Sequence, residues 1–90
     1  MSDHEIFRAI GHRLRARRRL LGLTQRAVAD GCGLTFQQIQ KYETGQVTLS
    51  VARLITLAHV LEAPVGDLLS GLAARPGDRP VANGGRWLSV

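Results

Sequence analysis

Ninety residues make a single small domain, and twelve Lys and Arg against seven Asp and Glu leave it at +5, a balance that favours a polyanionic partner. One cysteine, Cys32, excludes an internal disulfide and any zinc site needing two thiolates, and no apolar run approaches the ~20 residues of a membrane span. The only aromatic side chains are Phe7, Phe36, Tyr42 and Trp87, so the core must be built from Leu, Ile, Val and Ala.

Met1-Ser2-Asp3-His4-Glu5 is polar and acidic, unlike a signal peptide, and its serine-to-glutamate spacing is that of a capping box that starts a first helix. Ile6, Ile10, Leu14 and Leu21 follow at helical intervals, with Gly22 as the stop. Thr24 caps a second, short helix predicted from Gln25 to Asp30, with Val28 and Ala29 facing inward and Gly31-Cys32-Gly33 breaking it. Thr35 and Gln38 repeat the capping-box spacing and open a third helix that ends near Thr44-Gly45. Ser50 caps a fourth, running to about Leu61 with Leu54, Ile55, Leu57, Ala58 and Leu61 apolar. Pro64 suits the first turn of a fifth, which carries Val65, Leu68, Leu69 and Leu72.

No segment alternates with period two, so the expected fold is all-α: a compact five-helix domain over residues 1–72. Residues 73–90, rich in Gly, Pro and Arg, read as a flexible tail. Trp87-Leu88-Ser89-Val90 at its end either frays or docks on the body or a partner.

The second and third helices, separated by a tight turn, form the unit that places a helix in the DNA major groove. Ala29 is small where the two helices cross, Gly33 suits a positive φ in the turn, and Leu34 and Ile39 anchor the third helix to the core. Gln37, Lys41 and Thr44, at intervals of four and three, are left for its outer face, with Phe36 and Gln40 on the flanks.

Leu21-Gly22-Leu23-Thr24-Gln25, Val28-Ala29-Asp30, Cys32-Gly33-Leu34-Thr35, Ile39 and Lys41-Tyr42-Glu43-Thr44-Gly45 together resemble the phage-repressor-like (Cro/CI-type, also called XRE) helix-turn-helix family, over about residues 6 to 72. The resemblance implies a five-helix domain, similar to that of the lambda repressor, that binds operator DNA as a homodimer on a pseudo-palindrome. Carried over by position, it implies that Gln25 holds a backbone phosphate and orients a base-reading side chain, that Phe36, Gln37 and Lys41 read bases, and that Thr35, Gln40 and Thr44 contact phosphates. Glutamine can pair with adenine and lysine with guanine, whereas phenylalanine can only touch a thymine methyl or stack. The resemblance also makes Arg18 and Glu43 a structural ion pair. Phe36 departs from the polar residue common at its position. Gln46-Val47-Thr48-Leu49 lacks the basic residues some members use against phosphate, which leaves Arg15 and Arg17 of the first helix as candidates.

The other motifs lead to no chemistry. His4-Glu5 starts the H-E-x-x-H zinc-protease pattern, but position 8 is Arg8; Gly31-x-Gly33 would need a third glycine where Phe36 stands. Cys32 falls at an apolar position under the turn and reads as an inert thiol, and His59 as a packed or edge histidine. No catalytic residues, metal or cofactor are expected. The expected function is sequence-specific transcriptional regulation, as a repressor, by a cytoplasmic, nucleoid-associated protein whose partner is double-stranded DNA and not a membrane. An antitoxin-type or adaptor protein whose tail binds a protein partner is the second reading. Non-specific binding of RNA or an anionic membrane through the first helix is the third. Pro64, Val65, Leu68, Leu69 and Leu72 either seat the homodimer or belong to the core.

Overall fold

A polar side chain ahead of each of the first four helices decides where that helix begins. Ser2, Thr24, Thr35 and Ser50 each accept a hydrogen bond from the backbone N–H three residues on, at 3.0–3.2 Å, each cap worth about 1 kcal/mol. In the computed structural model, which describes residues 1–72, the helices are α1 (Asp3–Leu20), α2 (Gln25–Cys32), α3 (Phe36–Thr44), α4 (Val51–Val60) and α5 (Val65–Leu69). There is no strand among the described residues, and none of their helices is long and apolar enough to cross a membrane. The predicted tail, with Trp87, lies outside the described residues.

Both capping boxes are reciprocal: the Oε1 atoms of Glu5 and Gln38 accept hydrogen bonds from the backbone N–H groups of Ser2 and Thr35. The bonds from Ser2 hold the Glu5 carboxyl below the usual carboxylate range.

Three boundaries differ from the sequence expectation, the simplest being that α5 ends at Leu69, which leaves Leu72 beyond it. α2 does not break at Gly31 but runs on to Cys32, and only Gly33, at φ 69°, ends it. A helical glycine costs about 1 kcal/mol relative to alanine. Gly31 packs against α4, where a Cβ would stand 3.0 Å from Val60 Cγ1 and the valine would have to give way. Pro64 is the cap residue ahead of α5 and not part of its first turn.

The core is wholly aliphatic: Ile10 and Leu14 from α1, Val28 and Ala29 from α2, Ile39 from α3, Leu54, Leu57 and Ala58 from α4, then Leu61 and Leu68. Leu68 therefore belongs to the core, with Val65 and Leu72 packed partly against it. Large apolar side chains left outside are Met1, Leu20 at the end of α1, Val47 in the loop after α3, Leu69 of α5 (39 % exposed) and, one turn apart on α4, Val51 (73 %) and Ile55 (53 %).

α1 and α3 meet backbone to backbone. A Cβ on Gly11 would stand 2.6 Å from the Glu43 carbonyl oxygen and closer still to that of Tyr42. Gly45, which ends α3 at φ 73°, would press a Cβ to 2.7 Å from Arg8 Cα. The far side of α1 is tied to the α4–α5 connection. There Arg17 donates from Nε to Leu61 O and from Nη2 to Glu62 O, both at 2.9 Å, and Arg13 Nη1 donates to Asp67 O at 3.3 Å. The Arg17 bonds satisfy carbonyls that the end of α4 leaves without helical partners, and the Arg13 bond reaches a carbonyl of α5.

The backbone approach at Gly11 yields a direct prediction. Gly11→Ala, which would stabilise an ordinary helix interior, is expected to cost 1–3 kcal/mol or more, roughly, because neither carbonyl opposite can yield without shifting α3. Chemical denaturation measures it, and a variant as stable as the parent would show that the two helices do not pack this closely.

Candidate nucleic-acid interface

The recognition surface begins with a buried carboxylate. Glu43, near the end of α3, is 7 % exposed, and every partner it has comes from another helix. Arg18 of α1 grips it with Nε on Oε2 at 2.6 Å and Nη2 on Oε1 at 3.0 Å, the bidentate geometry that suits a guanidinium best. Gln25 Nε2, at the first position of α2, donates to the same Oε1 at 3.1 Å. Arg18 Nη1 also donates to Leu23 O at 2.9 Å, closing the α1–α2 turn. No buried side-chain polar atom among the described residues lacks a partner.

Held from behind in this way, α3 turns Gln37, Gln40, Lys41 and Thr44 outward, all exposed. With Arg15, Gln25, Glu43 and Gln46 they line an open hollow of about 380 Å³. Gln46, from the loop after α3 that carries no basic residue, was not among the expected contacts because an uncharged amide leaves no mark on the charge pattern. A second hollow, about 540 Å³, continues along α1 past Arg15, with Arg8 and His12 beside Thr44. Arg8, His12 and Arg15 lie four and three residues apart on one exposed face. The helical interval alone would have picked out that face.

Most of the expected contact residues also have partners inside the fold. Arg17 is not available to phosphate: its guanidinium is taken up by Leu61 O and Glu62 O on the opposite side of α1. Thr44 spends its hydroxyl hydrogen inside α3, on Gln40 O at 2.9 Å and Lys41 O at 3.3 Å. Gln25 has one amide hydrogen committed to Glu43 and a second free to donate. Thr35 caps α3 and so stands at its exposed first turn. Phe36 is half-buried, packed partly against the core, and does not stand clear on the outer face.

Cys32 is half-buried beneath the turn; burial pushes its thiol up, and the charge of Arg53 opposes this only in part. His59 is exposed, and no group of His, Cys, Asp and Glu able to hold a metal occurs among the described residues.

Comparison with known proteins follows the same geometry. A helix-turn-helix family model matches residues 14–68. An uncharacterized HTH-type transcriptional regulator of Sinorhizobium medicae is 43 % identical over 56 residues, 62 % of this chain and 40 % of its own length. An uncharacterized transcriptional regulator in the ATPase CF(0) region of Rhodospirillum rubrum is 41 % identical over 69 residues, 77 % of this chain and 64 % of its own. The chain thus spans less than two thirds of either relative. Among solved structures, the clp gene regulator ClgR from C. glutamicum superposes with TM-score 0.71 at 29 % identity, covering 77 % of this chain and 94 % of that one. The restriction-modification controller protein C.AhdI from Aeromonas hydrophila gives 0.71 at 28 %, covering 76 % and 99 %.

Glu43→Ala leaves the Arg18 charge unpaired and its Nε and Nη2 donors, with Gln25 Nε2, facing a cavity. About 3–5 kcal/mol is expected to be lost, most of the stability of so small a domain. Circular dichroism should show a molecule unfolded or melting far below the parent, and an unchanged melt would remove Glu43 from the scaffold.

Proposed function

The chain belongs to the XRE-type helix-turn-helix family of transcriptional regulators, and from that premise we propose that it is a sequence-specific DNA-binding regulator that represses by occupying a promoter. In this reading α3 enters the major groove of a pseudo-palindromic operator, with Gln37 and Lys41 against base edges and the ring edge of Phe36 beside them for a thymine methyl. Thr35, Gln40, Gln25 and Arg15 hold the phosphate backbone and fix the register, and Thr44 joins them by rotating its hydroxyl out of the helix. The protein acts as a homodimer, so that one recognition helix meets each half-site. Such a dimer would cover Val51, Ile55 and Leu69, the exposed apolar side chains that α4 and α5 carry.

One observation carries the proposal: α3 is divided lengthwise. Ile39 and Glu43 are buried and fully engaged with other helices, whereas Gln37, Gln40 and Lys41 form no side-chain hydrogen bond among the described residues and share one hollow with Arg15. Side chains that the fold does not use, on a helix it holds rigidly, suit an external hydrogen-bonding partner, and the cations beside them suit a polyanion.

The test starts from duplexes selected out of a random pool by the wild-type protein. Gln37→Ala and Lys41→Ala are each expected to lose ~1–3 kcal/mol of discrimination between selected and scrambled duplex in a gel shift. A dimer making about 6–10 phosphate contacts should lose ~10³–10⁵ in affinity between 50 and 200 mM salt. Equal wild-type affinity for the two duplexes sinks the proposal.

A further inference from the structure

Arg26 sits where the stability of the domain gives no reason for a cation. It is the second residue of α2, in a first turn that carries no acidic residue, and the positive end of a helix disfavours a basic side chain there. It is exposed, and among the described residues its guanidinium has no hydrogen bond and no ion pair. Asp30, one turn further along α2, borders the same hollow without pairing with it. Yet the guanidinium is not adrift: its central carbon lies 4.9 Å from the centroid of the Phe36 ring.

Resting on the reading of α3 given above, we propose that Arg26 is a DNA-backbone contact at the leading edge of the recognition helix, and that Phe36 is a positioning residue that holds it there. The hollow beside the stack is bounded by Thr35 and Gln37 as well, which places the guanidinium at the entrance of α3. A cation held over a ring gives up no hydrogen bond to it, and none of the five N–H donors has a partner among the described residues, so all remain in the fork geometry that matches phosphate oxygens. The stack also restricts a long side chain before any ligand arrives, so less rotamer freedom is lost on binding. The aromatic ring at position 36 thereby acquires a purpose that a polar base reader would not serve.

The full chain and its Arg26→Ala, Phe36→Leu, Phe36→Tyr and Arg26→Ala/Phe36→Leu variants are titrated with salt on the selected and the scrambled duplex, with thermal melts alongside. Arg26→Ala should weaken both duplexes by the same factor, about tenfold at low salt. It should flatten the slope of log K against log salt by ~0.9 per bound protomer, while melting close to wild type, because the lost ring contact and the relieved helix-end repulsion are similar in size. Phe36→Leu should weaken the scrambled duplex by about two- to fivefold and the selected duplex, which also loses the thymine-methyl contact, by at least as much; Phe36→Tyr should bind like wild type, and Phe36→Leu should have no further effect on the slope once Arg26 is gone.

Wild-type protein that discriminates between the duplexes while Arg26→Ala keeps its affinity and slope overturns this inference alone. A loss confined to one base pair, or one that tracks a lowered melt, overturns it equally. A slope effect of Phe36→Leu that persists without Arg26 overturns the positioning role. Wild-type protein without discrimination overturns the function proposed above, and this inference with it.

Discussion

A carboxylate cannot be closed off from water without partners, and that constraint organises the domain. Glu43 is nearly buried, so the free energy of its charge depends on Arg18 and Gln25 being in place. Those partners come from α1 and α2, and so one ion pair dictates where three helices must stand. The same guanidinium also holds Leu23 O, which makes the α1–α2 turn part of the arrangement. If one helix shifts, a buried charge loses a partner, a far steeper penalty than the sliding of aliphatic side chains past one another would bring.

Around that polar lock the aliphatic core is small and supplies little directional information of its own. Direction comes from three further contacts. The backbones of α1 and α3 touch at Gly11, Gly45 lets α3 end against Arg8, and Arg17 fastens α1 to the end of α4. The outer surface of α3 takes part in none of these. Its residues are fixed in position by neighbours that never touch their side-chain tips, an arrangement that presents polar groups at low conformational cost to whatever they meet.

The parts legible in the sequence were those that local chemistry decides. Ser2, Thr24, Thr35 and Ser50 announce helix starts because a cap acts over three residues, and the apolar intervals of α1 and α4 show which faces turn inward. The Arg18–Glu43 pair came from family resemblance and not from periodicity, since residues 25 apart carry no mutual signal in a single chain. Where only tertiary packing decides, local rules misled or were silent. Gly31 looks like a breaker but is a helical residue facing Val60. Ile55 has the interval of a core residue yet stays exposed. Arg17 is indistinguishable from Arg15 until the end of α4 appears beside it, and Gly11 gives no hint that another backbone lies against it. The stack of Arg26 on Phe36 joins two helices whose angle no single-chain rule supplies.

The lengthwise division of α3 has a consequence for how such a protein can change. Positions 37, 40 and 41 contribute nothing to the lock behind them, so substitution there alters the surface presented without drawing on the stability that keeps the domain folded. Positions 39 and 43 have no such latitude. A lineage can therefore move to a new target through single steps, each of which leaves a folded molecule, while the residues that make the move possible stay constant. Divergence in this scaffold should concentrate on one edge of one helix, and the other edge should be inherited nearly intact.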